Sequence, residues 1–327
     1  MDQSTSRRRL KDLRARRSVS QTELSHALGF NDRQTLSDIE LGKRLVATID
    51  LVKAAAFFQV DLNYFTDPLE WAGEACFSWR QQADAGDLGA FEQRAGQWIA
   101  SYRHLSRLKG TSVNSLLPRV DLTPKSSFQE AAEEGEAVAR ALDLGETPAA
   151  RLIEVLESRL DTLVLHVDTV PGVSGAACQL GPLNTLLVNR RESVGRRAFD
   201  LGHELFHLIT WQAMPPAHIE NDAYLSKSQQ RIEKLANAFA SGLLMPRTAL
   251  SVLFEQQPFP AKDMADQAQW IRGAATHLGV SGAAVKWRLV TLRVLPRAPA
   301  ERMADQSLRP HQTAKESPPP PRSRAPA

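Results

Sequence analysis

Apolar positions recur at helical spacing along most of the chain, and short β-branched or apolar runs interrupt them in only two places. Leu10 and Leu13 open a first helix. Ser20 stands as an N-cap with Glu23 three residues on, the spacing of a capping box. The next helix therefore runs from Gln21 to Leu28, buries Leu24, Ala27 and Leu28, and stops at Gly29. Asn31 or Asp32 can cap a third, Arg33 to Glu40, which ends before Gly42, and Ile49, Leu51, Val52, Ala55 and Phe58 trace a fourth. Further helical periods cover Trp71 to Trp79 and Phe91 to Leu108. The strand-like runs are Thr162 to Val167 and Thr185 to Val188, separated by glycine-containing turns. Beyond them lie a helix around residues 198–209, another over Gln230 to Leu244, and a final pair, Ile271 to Leu278 and Ser281 to Leu292. The pattern predicts a mainly α fold with a small β-sheet, of the α+β class.

At 327 residues, 43% hydrophobic and 24% charged, the chain has room for two or three modules. No run approaches the roughly 18 apolar residues of a membrane span, so no membrane partner is expected. The basic N-terminus lacks the apolar core of a secretory signal, and a cytoplasmic location is the expectation. Cys76 and Cys178 are too few for a disulfide scaffold or an all-thiolate zinc site and read as buried, inert thiols. Composition divides the chain into a helical module over 1–68, a helical connector over 69–145, a segment with strands over 146–295, and a proline-rich tail over 296–327. With few large apolar residues, the tail is expected to be disordered. The net charge of +3 argues little, but residues 1–17 carry seven basic against two acidic side chains. Such an arm can meet phosphates, although a solvated face is the plainer account.

Short helices joined by a tight glycine-containing turn make a helix-turn-helix signature. Over residues 8–66 the chain resembles a lambda-repressor-type (XRE) DNA-binding domain, in Ser20-Gln21, Leu24 to Ala27, Gly29, Thr35-Leu36-Ser37-Ile39-Glu40 and Gly42-Lys43-Arg44. The resemblance implies that Arg33 to Glu40 is the recognition helix of an operator-binding protein. Gln34, Thr35 and Ser37 would then touch bases or phosphates, and Gln21 would reach the DNA backbone. Glutamine can bond an adenine edge with two hydrogen bonds, while Arg33, Lys43 and Arg44 near the helix ends would neutralise phosphates. Asp32 and Asp38 flank that face and oppose phosphate. A bundle used only for protein contacts or dimerisation is the alternative.

The strongest chemical signal is HELFH, His203 to His207. On a helix, His203 and His207 project from one face and can reach one ion, while Glu204, rotated by about 100°, can approach a water without ligating. Ala198, Phe199, Leu201, Leu205, Phe206, Leu208 and Ile209 mark the helix as buried, where two histidines and a glutamate without a task would be costly. Zinc needs a third protein ligand. His218 and Glu220 lie in the connection after the helix; Glu233 is better placed, on the buried edge of the helix that also carries Ala236 and Ala240. Those small residues permit close approach to a neighbour.

From about Ala149 to Leu295 the chain resembles the ImmA/IrrE family of zinc metallopeptidases, most sharply in VNRRESVGRRAFDLGHELFHLI and RIEKLANAFASGLLMP. Glu233, Ala236, Asn237, Phe239, Ala240, Leu243, Leu244, Met245 and Pro246 fit the family's E-x-x-A-N-x-F-A-x-x-L-L-M-P helix. Gly202 stands where Ala is usual and Phe206 where Gly is frequent. The resemblance implies a gluzincin-like domain with His203, His207 and Glu233 as ligands of Zn2+ and Glu204 as general base. Asn237 is expected to orient a ligand. His218 and Tyr224 are candidate donors to an oxyanion, and Leu186-Leu187-Val188 is a candidate edge strand for extended substrate. The final helix pair is read as structural, although Lys286, Arg288 and Arg293 would suit a second DNA reader.

The two modules together lead to a DNA-binding transcriptional regulator with zinc metalloendopeptidase activity, whose protein substrate is a repressor. Self-association as a homodimer stays open. The rival is a transcription factor whose peptidase-like domain senses a metal, ligand or partner and hydrolyses nothing.

Overall fold

A computed structural model describes residues 3–69, 76–81, 88–111, 114–220 and 225–309, which divide into two compact units. The first begins with α1 (Gln3–Arg16), α2 (Gln21–Leu28), α3 (Arg33–Leu41), α4 (Thr48–Phe58) and α5 (Asn63–Thr66), and α6 (Leu88–Leu108) clusters with them. Ser20 caps α2 by accepting from the Glu23 amide, and Asp32, rather than Asn31, caps α3 by accepting from the Thr35 amide. Leu10, Leu24, Leu36, Ile39, Leu51 and Phe65 are fully buried in its core. Ala27 is exposed, and so are Ile49 and Val52: α4 buries Leu51, Ala54, Ala55 and Phe58, the i, i+3, i+4, i+7 set, leaving the arc of Ile49 and Val52 to solvent. Part of the basic N-terminal run is internal. Arg9 is fully buried and donates to the carbonyls of Tyr64 and Asp67, while Arg14 grips Glu40 with two hydrogen bonds.

The second unit is built on a mixed five-stranded sheet of order β2-β4-β3-β1-β5: β1 (Cys76–Gln81), β2 (Leu163–Val167), β3 (Val173–Leu180), β4 (Leu183–Asn189) and β5 (Ile219–Glu220). β3 runs antiparallel to both β1 and β4, and the outer pairs β2/β4 and β1/β5 are parallel. Around it stand α7 (Phe128–Ala141), α8 (Pro148–Ser158), α9 (Val194–Thr210), α10 (Lys227–Leu244), α11 (Arg247–Gln256), α12 (Met264–Leu278), α13 (Gly282–Thr291) and α14 (Arg297–Arg302).

Four expectations change. Residues 76–79, read as helical, are a strand; Phe77 and Trp79 stack with ring centroids 4.9 Å apart, the period-two signal that helical counting passed over. Residues 71–75 of that stretch lie outside the described residues. The span 69–145 is accordingly no simple helical connector: it gives β1 to the sheet and α7 to the helical layer. Leu186-Leu187-Val188 lies in β4, paired on both sides, so among the described residues the sheet edges are β2 and β5. Finally, the tail is ordered as far as residue 309: α14 and a 3-10 turn (Asp305–Leu308) bury Ala300, Met303 and Leu308. Average composition missed these few anchors, and residues 310–327 lie outside the described set. Of the two thiols only Cys178 is buried; Cys76 is exposed.

Small residues set the helix spacing. A Cβ at Gly242 of α10 would fall 2.0 Å from the Ala132 carbonyl oxygen of α7, and one at Gly135 of α7 would fall 2.2 Å from the Phe239 carbonyl oxygen. On the other side of α10, a Cβ at Gly202 of α9 would meet Ala240 Cβ at 3.3 Å. α10 is thus clamped between α7 and α9, and the side chains it turns toward α9 are held in place. The final helices are structural. Lys286 is buried and donates to the Met303 carbonyl and to Asp305, and buried Arg288 pairs with Glu136 and donates to the Met245 carbonyl.

Candidate metal centre

Helix α9 lies between the sheet and α10, and buries Leu201, Leu205, Phe206 and Leu208 with His203, Glu204 and His207. Such a helix leaves little water for its polar side chains, so their partners must come from protein or from an ion. The Nε2 atoms of His203 and His207 face each other at 3.2 Å. From α10, Glu233 Oε2 comes to 3.1 Å of His203 Nε2 and Oε1 to 3.6 Å of His207 Nε2. From β5, Glu220 Oε1 reaches 3.2 Å of His207 Nε2 and Oε2 reaches 3.7 Å of His203 Nε2. One ligating atom from each of the four residues fits within a 4.8 Å cluster. Donors around a tetrahedral zinc, bonded at about 2.0–2.1 Å, sit about 3.3–3.4 Å apart, so the observed spacing suits such an ion.

The surroundings agree with that fit. His203 Nδ1 donates to Asn237 Oδ1 at 3.0 Å, which fixes the ring and leaves Nε2 to face the cluster. Among the described residues, both Glu204 oxygens and Glu220 Oε2 are buried without a hydrogen-bond partner. Glu204 packs against β3 at Gly175, where a Cβ would lie 3.6 Å from its Cγ and 3.7 Å from its Oε1. Ser78 of β1 donates a short hydrogen bond to Glu220. Arg80, on the same strand, bonds Asp200 at 2.8 Å, and Asp200 is also within 3.3 Å of Arg196.

Burial alone would lower the pKa of His203, and Arg80 acts in the same sense, but the neighbouring carboxylates of Glu220 and Glu233 raise it to about 10. His207 is raised as well, since the charges of Glu220 and Glu233 outweigh the cost of burying a cation. For Glu233, burial acts upward, yet the attraction of His207 and His203 holds it far below the ordinary carboxylate range. Glu204 is raised to about 8, by burial first and then by the negative charge of Glu220.

These protons must leave before an ion can bind, because imidazole nitrogen ligates only when bare. Zinc uptake at pH 7 is therefore expected to release at least one proton per chain, with apparent affinity rising with pH toward the raised histidine value of about 10. Binding heats in buffers of different ionisation enthalpy check this; equal heats in all buffers would contradict it.

His203, Glu204, His207, Glu233 and Asn237, singled out from sequence, are thus brought together. His218 is exposed beside β5, with its carbonyl accepting from the Trp79 amide, and Tyr224 lies outside the described residues. Sequence reasoning named Glu220 but ranked Glu233 above it, and passed over Ser78, Arg80 and Asp200. A buried aspartate three residues before His203 on an apolar helix was a usable signal for the last.

In the first unit, Arg33, Gln34, Lys43 and Arg44 are exposed, and Thr35 and Ser37 are half-buried on α3. Gln34 bonds Asp38 at 2.9 Å, and Gln21 donates to Glu40 at 2.8 Å beside Arg14. Asp38 accepts from Gln34 and Asp32 from the Thr35 amide, so both carboxylates are held in place beside α3 with their negative charge retained.

The first unit is by its helices a helix-turn-helix domain, and the second has the build of a metallopeptidase-type domain. Residues 10–65 match the helix-turn-helix family, and residues 158–290 match the family described as an IrrE N-terminal-like domain. The chain therefore joins an XRE-type helix-turn-helix DNA-binding domain to a peptidase-family domain of the IrrE/ImmA-like kind, a family that implies a metal. No curated protein matches the chain significantly. No helix among the described residues is long and apolar enough to cross a membrane.

Proposed function

We propose that this protein is a transcriptional regulator that binds an operator through α3 and cleaves a protein substrate, a repressor, with a zinc endopeptidase centre in its second unit. The observation that carries this reading is the meeting of two imidazoles from α9 with a carboxylate from α10, beside a glutamate with no hydrogen-bond partner among the described residues. A zinc ion held by His203, His207 and Glu233 would supply a Lewis acid that activates water and polarises a peptide carbonyl. Glu204 takes the proton of the attacking water on a carboxylate oxygen and returns it to the leaving nitrogen. Asn237 keeps His203 in the ligating tautomer.

Incubating the zinc-loaded chain with candidate repressors is expected to give a discrete cut that chelation abolishes and zinc restores. The second reading, a regulator whose metal domain senses rather than hydrolyses, is favoured by Glu220, a fourth carboxylate-bearing member of the cluster. A fully metallated protein that cuts none of a broad substrate panel would favour it.

On the DNA side, Lys43→Ala is expected to weaken binding on all sequences and reduce the salt slope by about one counterion. Gln34→Ala is expected to cost about 1–3 kcal/mol of sequence discrimination. Fluorescence anisotropy at several salt concentrations reads both; unchanged binding in both variants would assign α3 to protein contacts. Exposed Leu41, Leu45, Ile49 and Val52 supply apolar surface for a dimer on DNA.

A further inference from the structure

We propose that Glu220 is a fourth protein ligand of the same ion, so that the resting protein holds a coordinatively closed metal whose vacant face opens only when β5 leaves β1. This rests on the proposed metal centre and adds a latency that the three-ligand set does not have. Glu220 approaches the two imidazoles at 3.2 and 3.7 Å, as closely as Glu233 does at 3.1 and 3.6 Å. By spacing, the two carboxylates approach the pair of imidazoles alike, one oxygen of each toward each ring.

Charge balance points the same way. The Glu220 side chain is 1% exposed, and its hydrogen-bonded neighbour Ser78 is a neutral hydroxyl. A buried carboxylate in such a place needs a cation. Two neutral imidazoles and two carboxylates around a divalent ion sum to zero, so an ion at this point would supply the cation that both buried carboxylates need.

The two carboxylates differ in what holds them. Glu233 sits inside α10, an 18-residue helix clamped between α7 and α9. Glu220 sits on a strand of two residues that, among the described residues, pairs only with β1 at the edge of the sheet, beside an exposed Ile219. Releasing Glu220 requires breaking that short ladder, the contacts of the Ser78 hydroxyl with Glu220 and the Ala217 carbonyl, and the bond from the Trp79 amide to the His218 carbonyl, while releasing Glu233 requires unpacking the core. Glu220 is therefore the exchangeable ligand: its carboxylate leaves and a water takes its position, with no change in oxidation state.

The test uses the full-length chain loaded with cobalt(II), whose visible bands report coordination, and azide as a small exogenous ligand. The wild type is expected to take up one cobalt per chain with bands that azide does not move. Glu220→Gln, which keeps the shape and the hydrogen bond from Ser78, is expected to bind cobalt at least about tenfold more weakly, since even an outer-sphere loss costs that much. Its bands are expected to shift on adding azide. Ser78→Ala, leaving the carboxylate in place, should keep the wild-type insensitivity. Should Glu220→Gln fail to fold by circular dichroism, the wild-type titration decides alone. A wild type that binds cobalt and shifts with azide overturns the fourth ligand while leaving the metal centre standing. A wild type that takes up no cobalt overturns both.

Discussion

Replacing Glu204 with glutamine is expected to lower hydrolysis by about 10²–10⁴-fold, the usual contribution of a positioned general base, without loss of bound zinc. The side chain keeps its volume, so its packing against β3 at Gly175 is preserved. The imidazoles of His203 and His207 keep their partners on α10 and β5. What disappears is an oxygen able to accept a proton. The loss should therefore fall on kcat rather than KM, and metal content by elemental analysis should equal that of the wild type. Equal cleavage by both forms would reject Glu204 as the base and leave the metal assignment untouched.

Gly242→Ala is the second large effect, and here two magnitudes compete. Adding a methyl to a helical glycine gains roughly 0.5–1 kcal/mol of backbone entropy. At Gly242 that methyl would lie 2.0 Å from the Ala132 carbonyl oxygen and 2.8 Å from its carbon, both backbone atoms that cannot rotate aside. Overpacking of this kind costs about 1–3 kcal/mol or more, so a net loss of about 2 kcal/mol is expected. Because α10 also carries Glu233 and Asn237, separation of α7 from α10 should weaken metal binding in the same variant. Gly273→Ala is the matched control. It lies on α12 with nothing within 4 Å of the added carbon, so the entropy gain should stand alone and raise the melting temperature. A destabilised Gly273→Ala, or a neutral Gly242→Ala, would show that helix contact does not govern the difference.

Much of the site was legible because its parts are local. The i, i+4 pair of histidines needs only a helix, and the Glu233-to-Asn237 spacing places both on one face of another. Ser20, Asp32 and Ser281 announced helix starts by side-chain chemistry that acts within three residues. β3 was less visible. Its run of Ser174, Gly175, Ala176, Ala177 and Cys178 has weak strand preference, and it is a strand because β1 and β4 flank it and α9 must lie close.

From the order of its residues alone, the protein is committed to helices with defined ends, to a helix-turn-helix unit, and to a pair of imidazoles facing one point. Those features depend on contacts a few positions apart, which any short window contains. Glu220 belongs to the other category. A strand of two residues has no period, and its carboxylate meets His207 only because β1, some 140 residues upstream by the Ser78–Glu220 separation of 142, holds β5 at the sheet edge. Which second carboxylate meets the imidazoles was therefore decided by long-range strand pairing, which no local pattern encodes.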